Sequence, residues 1–137
     1  MALKISLKPC ERLIIGGAVV TNGDGRAELT MENKVPLLRQ KDIMSEKEAD
    51  TPTRRIYFVI QLMYVDDENL FIHHQTYWKL VEDLIQAAPS VVNRIDQISE
   101  QILFGRYYQA LKLTKHLIEY EQEVINAPES VGSLSDC

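Results

Sequence analysis

The residue types best able to bind a metal are three histidines and a short acidic run, and their spacing argues against it. His73 and His74 are adjacent, so on a helix their rings diverge by roughly 100°. His116 has no cysteine or carboxylate around it at ligand spacing. Asp66, Asp67 and Glu68 lack the surrounding loop of a calcium hand. They precede a helical pattern, where carboxylates favour the positive end of the macrodipole. Cys10 and Cys137 lack metal-like or redox-like neighbours and read as free thiols. "GGAVVTNGDG" lacks the strand–glycine–helix context of a phosphate or dinucleotide loop, and no nucleophile elbow is present. No enzymatic activity is expected, and no cofactor or metal.

Cations are what remain. Lys4, Lys8, Arg12, Arg39 and Lys41 lie on or near a strand-rich stretch. Arg54 and Arg55 fall in the first turn of a helical pattern, where the dipole disfavours them. Such a placement fits either an ordinary solvated pair or an anion beside them, an acidic side chain or a phosphate. The formal net charge of −5 conceals an asymmetry: residues 1–55 hold ten Lys/Arg against eight Asp/Glu, and residues 56–137 five against twelve. Neither half has the footprint of a non-specific nucleic-acid binder. Any RNA or DNA contact must therefore come from a small patch and show modest salt dependence.

The elements that would position these residues follow from periodicity. Leu3, Ile5 and Leu7 alternate with Lys4 and Ser6, as in a half-buried strand. "RLII" and "AVVT" are β-branched runs separated by Gly16 and Gly17, and "NGDG" can supply the positive φ of a tight hairpin. Ala27, Leu29 and Met31 share one face of a fourth strand, and "VPLLR" is a fifth, with Pro36 favouring an edge. The spacing predicts a small meander of five strands and no helix before residue 44.

From Ser45 the period changes. Asp50 or Thr51 can cap a helix with Pro52 in its first turn and Ile56, Val59, Ile60 and Met63 as its apolar stripe. A second helix runs from about Asn69 to Ala88, with Tyr77, Leu80, Val81, Leu84 and Ile85 inward. Pro89 ends it. Ser90 can cap a third, carrying Val91, Ile95, Ile98, Ile102 and Leu103 inward, which Gly105 closes. "RYYQALKLTKHLIEYEQEVI" makes a fourth, similar to one helix of a tetratricopeptide hairpin. It lacks a second copy at the repeat length, so Tyr108, Leu111 and Leu117 read as core.

The fold class is thus α+β: a small N-terminal antiparallel sheet over residues 1–44, a four-helix part over 45–125, and a polar, disordered tail at 126–137. A sheet of about 40 residues rarely stands alone, so it packs on the helices or on a second copy, and a homodimer is one arrangement the sequence allows. "MALKISLKP" has no apolar run of signal length and no window reaches a membrane span, so a cytoplasmic protein without membrane association is expected.

The ordered motifs "LKPCERLIIGGAVVTNGDGRAEL", "VPLLRQKDIM", "DTPTRRIYFVIQLMY", "YWKLVEDLIQAAPS" and "ILFGRYYQALKLTKHLI" resemble the flagellin regulator family FlbT of alphaproteobacteria through about residue 120. One departure is Cys10, where the family pattern has glycine. If that turn needs positive φ, Cys10 carries strain. The resemblance implies a post-transcriptional repressor of flagellum biogenesis that associates with the 5′ untranslated region of flagellin mRNA and promotes its decay. Its partners would be the flagellin mRNA leader and flagellar regulatory or decay proteins.

A shorter stretch, Lys8–Gly16, is similar to the start of the carbon storage regulator CsrA in Glu11, Leu13, Ile15 and Gly16. "LLRQKDI" is similar to that family's closing strand and places Arg39 in the role of its RNA-gripping arginine, although Ile43 comes one residue late. The sheet holds no aromatic ring on which bases could stack. The expected grip is therefore a free strand edge with Arg39, aided by Lys4 and Arg12, with Lys41, Arg54 and Arg55 as further candidates. A competing reading makes the acidic helices a protein-interaction adaptor, with RNA association indirect.

Overall fold

The computed structural model describes residues 2–133, with side chains as far as residue 123. The period-two segments form β1 (Leu3–Leu7), β2 (Arg12–Ile15), β3 (Ala18–Thr21), β4 (Ala27–Met31) and β5 (Leu37–Arg39). All pairings are antiparallel, but they make two small sheets, β1–β4 and β3–β2–β5, in place of one meander. The turn chemistry explains the division. Gly16 has φ +60° in the two-residue turn joining β2 to β3, whereas Gly23 and Gly25 do not adopt positive φ. Instead of closing a tight hairpin, the Asn22 amide donates to the carbonyls of Lys8 (2.7 Å) and Gly25 (2.9 Å). The chain therefore folds back over the β1–β2 turn, and β4 reaches β1. Pro36 precedes β5, which lies at a sheet edge.

Alternation along β2 decides how the layers stack. Ile14, opposite Leu38, packs into the helical core. Leu13, on the other face, packs with Ile5 and Leu7 of the two-stranded sheet. The three-stranded sheet is thus a middle layer between β1–β4 and the helices. Leu13 and Leu38 are almost fully buried, each contributing about 1.5–3 kcal/mol by burial. The sheet that would not stand alone thus packs on the helices through one face and on β1–β4 through the other.

The helices are α1 (Pro52–Val65), α2 (Leu70–Ala87), α3 (Val92–Leu103) and α4 (Tyr107–Ser133). Thr51 caps α1, its hydroxyl accepting from the Arg54 N–H at 3.1 Å, and Pro52 stands in the first turn. "SEKE" makes a single 3₁₀ turn closed by a Ser45–Glu48 capping box. Another 3₁₀ turn at Gln40–Asp42 follows β5 directly, before the expected boundary. Three details differ from expectation. Pro89–Val91 form a 3₁₀ turn, so Ser90 does not cap α3. Leu103 and Tyr108 are exposed, Leu103 on the groove between α2 and α3 and Tyr108 beside the Tyr64 ring of α1, 6.0 Å between centroids. The tail expected at 126–137 is helical through Ser133, while residues 134–137, Cys137 among them, lie outside the described residues. Among the described residues no helix is long and apolar enough to cross a membrane.

Candidate nucleic-acid interface

The β1–β2 turn is built around Cys10, whose φ is +61°. Its N–H donates to the Gly23 carbonyl at 2.7 Å, which holds the turn against the Asn22–Gly25 segment. This left-handed position is held by a residue with a Cβ, and the thiol is free and exposed. Next to it, Glu11 accepts from the Lys8 backbone N–H at 2.9 Å.

Arg39 reaches the same carboxylate. Its register opposite Leu13 puts it on the face of β5 that looks toward β1. Nε donates to Glu11 Oε2 at 3.0 Å, Nη2 to Oε1 and Oε2 at 2.9 Å each, and Nη2 also to the Ser6 carbonyl of β1 at 2.7 Å. The Lys8 N–H, and then the Arg39 guanidinium, hold the Glu11 carboxyl below the usual carboxylate range. Arg39 thereby ties both sheets and the turn between them. Its Nη1 makes no hydrogen bond among the described residues.

This differs from the free strand-edge grip read from the sequence. Arg39 is in a bidentate ion pair, and the outer edge of β5 is met by α1: the Leu37 N–H donates to Tyr64 Oη at 3.1 Å, and Tyr64 donates to the Leu37 carbonyl at 3.4 Å. The reason is local. Glu11 and Arg39 stand 28 residues apart in sequence, and only the β2–β5 pairing brings them together.

Beside this clip lies a groove lined by Lys8, Cys10, Glu11, Arg39, Gln40 and Lys41. Lys8 and Lys41 are exposed and make no ion pair among the described residues. A neighbouring groove shares Cys10 and Gln40 and adds Arg12, whose backbone N–H donates to Gln40 Oε1 at 2.8 Å. Three of the predicted site residues, Arg12, Arg39 and Lys41, are therefore contiguous, with Lys8 joining them.

The others are not in this patch. Lys4 is exposed opposite Thr30 on the outer face of β1–β4 and lines neither groove. Arg54 is paired with Asp50 at 2.8 Å, so the anion beside it is an acidic side chain. Arg55 is exposed on the far side of α1, in a groove with Phe58 and His73. Lys8 was visible in the sequence as a near-strand cation, and its place at a sharp turn was the unused signal. Gln40, which joins the grooves, carried none.

Several other titratable groups make contacts within the fold. His73 pairs with Asp66 at 3.0 Å and His74 contacts Tyr107 Oη at 3.2 Å, so the two rings diverge as helical spacing requires. Asp66 is held below the usual carboxylate range by Asn69 and then His73. Lys115 of α4 is ion-paired with Asp42, whose carbonyl accepts from the Tyr57 hydroxyl at 2.7 Å, fixing the turn after β5 to the helices.

A family model described as "Flagellar protein FlbT" matches residues 3–125. A protein of Bradyrhizobium diazoefficiens named a probable flagellum biosynthesis repressor protein FlbT is 43% identical over 125 residues, covering 90% of this chain and 85% of its own. The flagellum biosynthesis repressor protein FlbT of Caulobacter vibrioides is 39% identical over 125 residues, covering 90% and 89%. A relative from Rhodopseudomonas palustris, again named a probable repressor, is 37% identical over 126 residues, covering 92% and 99%. No solved structure matches the chain.

Proposed function

The chain belongs to the FlbT family of flagellar proteins, and we propose that it is a cytoplasmic repressor of flagellum biogenesis that acts on the message. In this reading it associates with the 5′ untranslated region of flagellin mRNA and promotes its degradation. The names of its relatives support the repressor role. The observation that carries the RNA contact is the convergence of Lys8, Arg12, Arg39 and Lys41 on one ridge of a chain with net charge −5.

The grip differs from a strand-edge mechanism. Lys8 and Lys41 supply the phosphate contacts, and Arg39, held in place by Glu11, offers Nη1 alone. Glu11 fixes the ridge and tempers its charge, so bulk attraction is weak and the site is short. Acidic helices keep RNA from the rest of the surface.

The test is a mobility shift with purified protein and a flagellin leader over a range of salt. Lys8→Ala combined with Lys41→Ala should weaken binding at every salt and lower the salt slope by about two, one for each lost phosphate contact. Unchanged affinity in that variant would remove the ridge from the mechanism. Retention of leader association only in cell extract would favour the adaptor reading.

A further inference from the structure

α1 packs against α2 and α4, and α3 packs against α4, but α2 and α3 do not close on each other. They meet only at depth, where the Tyr77 and Ser99 hydroxyls share a buried hydrogen bond of 2.8 Å. Above it runs a groove with Val81, Ile85 and Ile95 as its floor and Trp78, Leu103 and Phe104 as its walls. The walls are open to solvent: Trp78 is 41% exposed, Leu103 72% and Phe104 65%. Phe71, also exposed, precedes Trp78 by seven residues, and Ile85 follows by seven, so all three lie on one stripe of α2. An apolar groove walled by exposed aromatic side chains is the composition of a binding surface.

Its charge selects the occupant. Asp96 and Glu100 of α3 line the groove, and Glu82 lies exposed one turn beyond Trp78. The nearby cations are engaged elsewhere or at one end: Arg94 lies over the Tyr120 ring at 3.9 Å, Lys79 pairs with Asp83 at 3.4 Å, and Arg106 stands 5.2 Å from the Phe104 ring centre. RNA would be repelled here. A second copy docking through the same face by a two-fold axis would set these carboxylates against their equivalents.

We propose that the seam between α2 and α3 docks an amphipathic α-helix of a protein partner, with an apolar face on the stripe and Lys or Arg along its flanks. Two diverging helices present the cleft into which such a helix lays residues at i, i+3, i+4 and i+7, completing the side of the bundle left open. The inference rests on the adaptor reading of the helical part and is independent of the cationic ridge, so either can fail alone.

Trp78 is the only tryptophan in the chain, and its emission reports occupancy directly. The probe is a synthetic helical peptide of about 15 residues, four turns, with a leucine stripe and lysine flanks. Its counterpart carries glutamate in place of lysine. The lysine peptide should give a saturable blue shift in the full chain and the glutamate peptide none. Leu103→Ser with Phe104→Ser, at two exposed positions, should weaken binding by about tenfold or more with the unfolding midpoint close to wild type. Asp96→Lys with Glu100→Lys should reverse the peptide preference, and serves if the first variant loses its fold. No shift, equal response to both peptides, or undiminished affinity in the serine variant would overturn the proposal. So would a blue shift that grows with protein concentration alone, which would assign the seam to self-association. Leader RNA should leave the Trp78 emission unmoved, which separates this test from that of the ridge.

Discussion

Cys10→Gly should make the protein more stable. Cys10 occupies φ +61°, a left-handed conformation that costs an L-residue about 1–2 kcal/mol. Glycine removes that strain but loses more chain entropy on folding, by about 0.5–1 kcal/mol, which leaves a net gain of about 0.5–1 kcal/mol. Little else changes, because the thiol is exposed and free, and the 2.7 Å bond from the residue-10 N–H to the Gly23 carbonyl uses only backbone. For a chain of this size the gain corresponds to a midpoint rise of about 2–5 °C. Urea unfolding at unchanged m reads the difference directly. Cys10→Ala is the control: it removes the thiol and retains the strain, so it should match wild type. Cys10→Val should fall below both, because a β-branched side chain tolerates this region least. A glycine variant no more stable than the alanine variant would refute the reasoning.

Other outcomes follow from the same contacts. Glu11 has its carboxyl held low in the folded protein, so it contributes stability above its ordinary value of about 4.5 and loses it as pH falls through the folded value. Urea midpoints measured from pH 6 downward should therefore drop more steeply for wild type than for Glu11→Gln, and parallel curves would contradict this. Burial pushes the Tyr77 phenol up to about 12. Tyr77→Phe strands the buried Ser99 hydroxyl at a cost of about 1–3 kcal/mol, and Tyr77→Phe with Ser99→Ala should recover part of it in the same unfolding assay. Leu38→Ala, at the contact between the middle sheet and the helices, should cost about 2–5 kcal/mol. Far-ultraviolet circular dichroism and Trp78 fluorescence should still report one coincident transition; separate transitions would show the sheet and helices unfolding independently.

Periodicity was sufficient for the elements. The alternation of β1, the three- and four-residue steps of α1 and α3, and the Thr51–Pro52 start all rest on local geometry, which a sequence displays. Topology was less legible, because Asn-Gly at residues 22 and 23 is a hairpin signal whose outcome depends on a rival. The Asn22 amide finds the Lys8 carbonyl, and that bond lies outside any local window. The site was legible in part. Arg12, Arg39 and Lys41 do converge, yet the Arg39 partner is 28 residues away, and an ion pair at that separation leaves no mark in composition or spacing. Leu103 illustrates the opposite error: it sits next to Ile102 in an apolar run, but one step of 100° turns it from the core to the rim of the open seam.

Ultraviolet crosslinking of the purified, intact chain to a flagellin leader, followed by mass mapping of the attached peptides, tests the central claim most directly. The account predicts adducts within Lys8–Arg12 and Gln40–Ile43, lost in competition with unlabelled leader. Adducts confined to α3 and α4, or none without cell extract, would contradict it.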